Sequence, residues 1–68
     1  MKNFIKLERA RHDLTQAELA DKLKVARQTI IAIEGGKFVP SALLAFKIAS
    51  ILNCKIDMLF ELEDKDWE

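Results

Sequence analysis

Arg27, Gln28 and Thr29 stand in succession ahead of Ile30, Ile31 and Ile33. Three side chains able to pair with bases or phosphates thus sit at the start of an apolar-periodic segment. Gln28 has the paired donor and acceptor that fit the major-groove edge of adenine, a contact worth about 1–3 kcal/mol of discrimination. Arg27 suits either guanine or a phosphate, and Thr29 either a phosphate or a thymine methyl. Ile30 and Ile33 fall on one helical face, which leaves Ile31 outside, either to pack on thymine methyls or as tolerated surface. The plainer reading of the polar trio is an ordinary solvated helix face. Other chemistries have little material. His12 and Cys54 are single, too few for a four-ligand zinc site within one chain. No nucleophile–base pair or phosphate-binding glycine loop occurs, so no enzyme, metal or cofactor is expected. Cys54 reads as a buried inert thiol and His12 as a solvated helix end.

The elements that must position this trio are short helices. The first is expected over about Phe4 to His12, with Ile5 and Leu7 directed to the core. Thr15, with Glu18 three residues on, forms a capping box that opens a second helix. Leu19, Ala20 and Leu23 give that helix one buried face. Lys24 and Val25 form a tight turn, and a third helix spans about Ala26 to Gly35, ended by Gly35-Gly36. Ser41 caps a fourth helix with Ala45, Ile48, Ala49 and Leu52 on one stripe. Asn53 follows as a left-handed end residue, and a last helix covers about Ile56 to Phe60. The ends, Met1–Asn3 and Glu61–Glu63, either fray or pair as a small two-stranded ladder. The expected fold is therefore all-α: one compact five-helix domain over 1–62, with an acidic tail over 63–68.

The stretch Gln16 to Gly35, two short helices joined by a tight turn, has the layout in which the second helix enters a major groove by its N-terminal residues. With Leu14-Thr15-Gln16, Glu18-Leu19-Ala20, Arg27-Gln28-Thr29-Ile30, Ile33-Glu34, Gly36-Lys37, Pro40-Ser41 and Ile48-Ala49 with Leu52 in order, the chain resembles the Cro/phage-repressor family of helix-turn-helix regulators, in its minimal single-domain form. The resemblance covers nearly the whole chain. It implies a repressor-like domain on double-stranded DNA and a phosphate at the second helix's N-terminus, beside Gln16. Ser41 offers a similar anion site at the fourth helix, and Lys37 follows the recognition helix within reach of the backbone. Arg9 and Glu34 also lie at motif positions, where an internal salt bridge is the simpler account. Three positions depart from the pattern. Lys24 stands where Gly is frequent, Ala26 where a Ser cap is usual, and Glu8 where Leu is frequent.

Net charge is zero, with 11 Lys/Arg and 11 Asp/Glu, yet it is unevenly spread. Residues 1–60 carry ten basic against six acidic residues, while 61–68 carry one lysine against five acids. A basic body with an acidic tail can meet phosphates. No apolar run approaches the roughly 18 residues of a membrane span, and the charged N-terminus does not read as a signal peptide. With one Cys there is no disulfide framework, so a cytoplasmic location is expected. Leu44, Ile51, Met58 and Leu62, with Leu43, Phe46 and Trp67 nearby, exceed what so small a core can bury, and they are expected to form a homodimer interface. No small-molecule ligand is evident. The competing reading is a protein-interaction module or antitoxin-type partner that uses the same fold without DNA.

Overall fold

The computed structural model describes residues 1–68. Strand β1 (Lys2–Asn3) leads into α1 (Ile5–Arg11), α2 (Gln16–Leu23), α3 (Arg27–Glu34), α4 (Ala42–Ile51) and α5 (Ile56–Leu59). Strand β2 (Phe60–Glu61) and a 3-10 turn over Asp64–Trp67 follow. The ends do pair: β1 runs antiparallel to β2 with Lys2 opposite Glu61 and Asn3 opposite Phe60. The second strand begins one residue earlier than expected because Phe60 leaves α5 with extended backbone angles.

Each helix begins and ends for a local reason. Thr15 Oγ1 accepts from the Glu18 N–H at 3.0 Å, and the Thr15 N–H donates to Glu18 Oε1 at 2.9 Å, which closes the expected capping box. The bond from the Thr15 N–H is the main reason that the Glu18 carboxyl is held below its ordinary range. Ser41 Oγ caps α4 by accepting from the Leu44 N–H at 3.2 Å. Four helices share one way of stopping. After each, a single residue takes a positive φ: Asp13 at 53°, Lys24 at 58°, Gly36 at 75° and Asn53 at 51°. The next residue's N–H then reaches back to a carbonyl of the last turn. Leu14 donates to Arg9, Val25 to Ala20, Lys37 to Ala32 and Cys54 to Ala49, at 2.9–3.0 Å. Only one of the four positions is glycine.

Two of these joints hold residues poorly suited to them. Lys24 carries a Cβ in the left-handed region, and Ala26, at the N-cap of α3, offers no side-chain oxygen. Lys24→Gly and Ala26→Ser are each expected to raise stability by about 1 kcal/mol. Thermal unfolding of the two single variants and the double variant checks this, and two unchanged midpoints would contradict it.

The core is one cluster drawn from every helix. Ile5, Leu19, Ile30, Ile33, Ile48, Leu52 and Leu59 are fully buried, with Ala20, Leu23 and Ala49 filling close approaches. The small Ala20 lets α2 and α3 cross closely. Leu7 departs from expectation and is 51% exposed. From buried Ile5, the helical period brings residues 8 and 9 to the inner face and turns residue 7 outward. Glu8 and Arg9 accordingly lie half-buried there. Asn3 ties the ladder to the helices: its Nδ2 donates to the Ile33 carbonyl at 2.8 Å, and its Oδ1 accepts from the Ile5 N–H at 3.2 Å. The terminal ammonium of Met1 pairs with Asp66 at 3.0 Å and Glu63 at 3.2 Å, which holds the acidic segment to the opposite end of the chain. No helix is long and apolar enough to cross a membrane.

Candidate nucleic-acid interface

Helix α3 buries Ile30 and Ile33 and so fixes which side chains remain outside. Arg27, Gln28 and Ile31 are exposed, while Thr29 is half-buried. Gln28 and Thr29 join Ala32 and Phe38 around a shallow, mostly apolar hollow beside the first turns of α3. Phe38 carries no periodic signal in the sequence, since it lies in the irregular segment after α3. Its partner residues became evident only once the Gly36 turn folded that segment back: both Lys37 and Phe38 donate to the Ala32 carbonyl.

The angle between α2 and α3 is held by a chain of polar side chains. Arg9 Nε donates to Glu34 Oε2 at 2.7 Å and Nη2 to Oε1 at 3.2 Å, a two-pronged pair. Arg9 Nη1 also donates to the Leu14 carbonyl at 2.9 Å. The expected salt bridge is therefore present, with only 13% and 9% of the two side chains exposed. Gln16 Nε2 donates to Glu34 Oε1 at 3.1 Å, and Gln16 Oε1 accepts from Arg27 Nη2 at 3.4 Å. The last contact is long and weak. A residue at the start of α1's last turn is thus linked through the end of α3 to the starts of α2 and α3. No sequence periodicity indicates the two contacts of Gln16.

Two helix starts keep N–H groups without a partner in the chain. At α2 the Glu18 and Leu19 N–H groups are taken by Thr15, and those of Gln16 and Ala17 have no partner in the chain. At α4 the Leu44 and Ala45 N–H groups are taken by Ser41, which leaves those of Ala42 and Leu43. Such free donors at the positive end of a helix suit an anion. Arg9, Thr15, Gln16, Ala17 and Arg27 line one open depression at the α2 end, where Arg27 is exposed and Arg9 is held by Glu34. Lys37 is exposed and makes no ion pair, and Ser41 is exposed with its hydroxyl proton still available to donate.

A helix-turn-helix family model matches residues 5–59, from the first residue of α1 to the last of α5. The chain belongs to the Cro/C1-type helix-turn-helix regulators. Relatives span nearly the whole length of both chains. An uncharacterized HTH-type transcriptional regulator of Methanocaldococcus jannaschii is 58% identical over 66 residues, covering 97% of this chain and all of its own. One from Archaeoglobus fulgidus is 44% identical, covering 97% of this chain and 94% of its own. One from Bacillus subtilis is also 44% identical, covering 97% of this chain and all of its own.

Within this family fold, α2 and α3 are the two helices of the motif, and the Lys24 turn joins them. Of the residues assigned to phosphate, the structure brings Gln16 beside Arg27, while Lys37 and Ser41 lie on the connection between α3 and α4. Of those assigned to self-association, Met58 and Leu62 are exposed, at 69% and 58%, while Leu44 and Ile51 are half-buried against the core. Leu43 and Phe46 are the more open apolar residues of α4, at 66% and 61%. The sequence stripe did not separate these pairs, because α4 is apolar nearly all round. Cys54 lies half-buried against the core, and loss of hydration pushes its thiol pKa up, with a smaller push from the charge of Glu8. That suppresses the thiolate and its reactivity.

Proposed function

We propose that the protein is a sequence-specific transcriptional regulator that binds duplex DNA as a homodimer and acts as a repressor. Helix α3 lies in the major groove, with Arg27, Gln28, Thr29 and Ile31 toward the base edges. Gln16, Lys37 and Ser41 mark the phosphate contacts that set its register. One observation carries this reading above the others. The start of α3 presents Arg27 and Gln28 outward, with Arg27 beside the free N–H groups at the start of α2, on a scaffold that buries Ile30 and Ile33. The description of the archaeal and bacterial relatives as HTH-type transcriptional regulators supports it.

The homodimer reading rests on exposed apolar side chains of α4, α5 and the segment after β2. Leu43, Phe46, Met58 and Leu62 are each more than half exposed on a domain of 68 residues. Exposed apolar surface of this kind marks an interface, and twofold symmetry places two recognition helices about 34 Å apart, one turn of DNA. Repression follows from occupancy, since a dimer seated on a promoter blocks polymerase without further chemistry.

Phosphate contacts release counterions, so affinity for any duplex is expected to fall steeply with salt. With about six phosphates neutralised by a dimer, the loss is about a thousandfold between 50 and 200 mM salt. Fluorescence anisotropy with a labelled duplex measures it. Binding that is absent, or indifferent to salt, would favour the protein-partner reading, which the acidic tail and zero net charge otherwise support.

A further inference from the structure

Lys22 and Lys24 at the end of α2 and Lys47 on α4 stand around a single open groove whose floor is Leu23 and Ile51, with Ser50 at its edge. None of the three lysines has an ion-pair partner in the chain, although 11 acidic residues are present. The groove lies toward the C-terminal halves of α2 and α4, whereas the free N–H groups that suit phosphate lie at their N-terminal ends. On α4 it continues into the open apolar residues Leu43 and Phe46, one turn before Lys47 and Ser50.

The opposite character is found in residues 61–68, with five acids, one lysine, Leu62 and Trp67. The Met1 ammonium takes up Glu63 and Asp66. Glu61, Asp64 and Glu68 have no ion-pair partner, and Trp67 is 77% exposed. The tail is thus held at its own chain's end with its tryptophan in solvent, and none of its residues lines the groove. We propose that the groove between α2 and α4 seats the acidic, tryptophan-bearing tail of a second copy of the chain.

Both halves of the match are needed. A phosphate backbone complements three lysines but has no use for a floor of Leu23 and Ile51. An acidic segment bearing Leu62 and Trp67 complements both. In a twofold dimer the exchange is reciprocal, so two grooves and two tails are satisfied at once. Charge pairs at the edge of such a contact steer the encounter and fix its register, with the tryptophan as the buried anchor. The inference rests on the homodimer reading and names the segment that completes it.

Trp67 is the only tryptophan, and there is no tyrosine, so its emission reports the tail alone. Sedimentation velocity and Trp67 emission are to be measured on the full chain across the same concentration range, without DNA. The emission maximum is expected to move to shorter wavelength in step with the dimer fraction. Lys22→Glu with Lys47→Glu is expected to raise the dimer dissociation constant about tenfold at low salt. Adding Asp64→Lys and Glu68→Lys to that variant is expected to restore it. A dimer whose Trp67 still emits as in water overturns the tail's seat and leaves the homodimer standing. A chain that stays monomeric overturns both. A blue shift with no change in sedimentation places the tail on its own body and also overturns the proposal. So does a charge-reversed pair that dimerises as before but loses DNA affinity, which would make the lysines phosphate contacts.

Discussion

Glu34→Ala is expected to cost about 3 kcal/mol of folding stability, because it strands the Arg9 guanidinium in a place with little access to water. The pair is two-pronged and more than four-fifths buried on both sides, so solvent cannot replace the lost carboxylate. Arg9 would keep only the Leu14 carbonyl, and Gln16 would lose its acceptor. A domain of this length has a total stability of only about 3–10 kcal/mol, so the variant is expected to be partly unfolded near 37 °C. The loss measures an orphaned charge and not the net worth of the bridge. Arg9→Met with Glu34→Leu removes both charges and is expected to lie within about 1 kcal/mol of the parent. Urea unfolding of the parent, the single variant and the double variant checks both statements. A single variant that loses under 1 kcal/mol would show that water reaches the pair and that the network does not set the angle between α2 and α3.

The second large effect is on sequence preference. Gln28→Ala is expected to lower discrimination between the preferred site and unrelated duplex by about 1–3 kcal/mol per half-site. Stability should hardly change, because the Gln28 side chain is exposed and makes no hydrogen bond within the chain. Lys37→Ala is expected to weaken binding to both duplexes alike and to make the salt dependence shallower by about one phosphate per protomer. The comparison separates reading from gripping. Equal losses on both duplexes for Gln28→Ala would remove it from the base-reading set. The hollow formed by Gln28, Thr29, Ala32 and Phe38 would then be the next place to look for discrimination.

Much of this arrangement is legible in the sequence, because it is local. The capping box of Thr15 and Glu18, the Ser41 cap and the left-handed Asn53 each depend on residues within four positions of one another. Their side-chain chemistry leaves few alternatives. The three-residue spacing of Ile30 and Ile33, behind the polar Arg27, Gln28 and Thr29, indicates which face of α3 is free. The pairing of Arg9 with Glu34, 25 residues apart, came from their places in the motif and not from any period. What stayed hidden depends on tertiary contacts between unlike elements. Leu7 looked like core because it is apolar, yet the helical period turns it outward and puts charged Glu8 and Arg9 inside. Asn3 gave no hint that it would bond the end of α3, and Phe38 none that it would lie beside Gln28. On α4, where nearly every residue is apolar, hydrophobicity cannot separate Leu44 and Ile51, which rim the core, from Leu43 and Phe46, which face water. The tail's anchoring to the Met1 ammonium is likewise a matter of how the two ends meet in the ladder.

The central claim is that the exposed start of α3 reads base pairs in two symmetric half-sites. It is tested most directly by selecting binders of the full chain from randomised duplex DNA at about 0.15 M salt and sequencing them. An enriched inverted repeat is expected, with half-site centres about 10 base pairs apart and a position in each half-site whose preference is lost with Gln28→Ala. Enrichment of a single half-site would contradict the dimer. No enrichment above the starting pool would contradict base reading altogether.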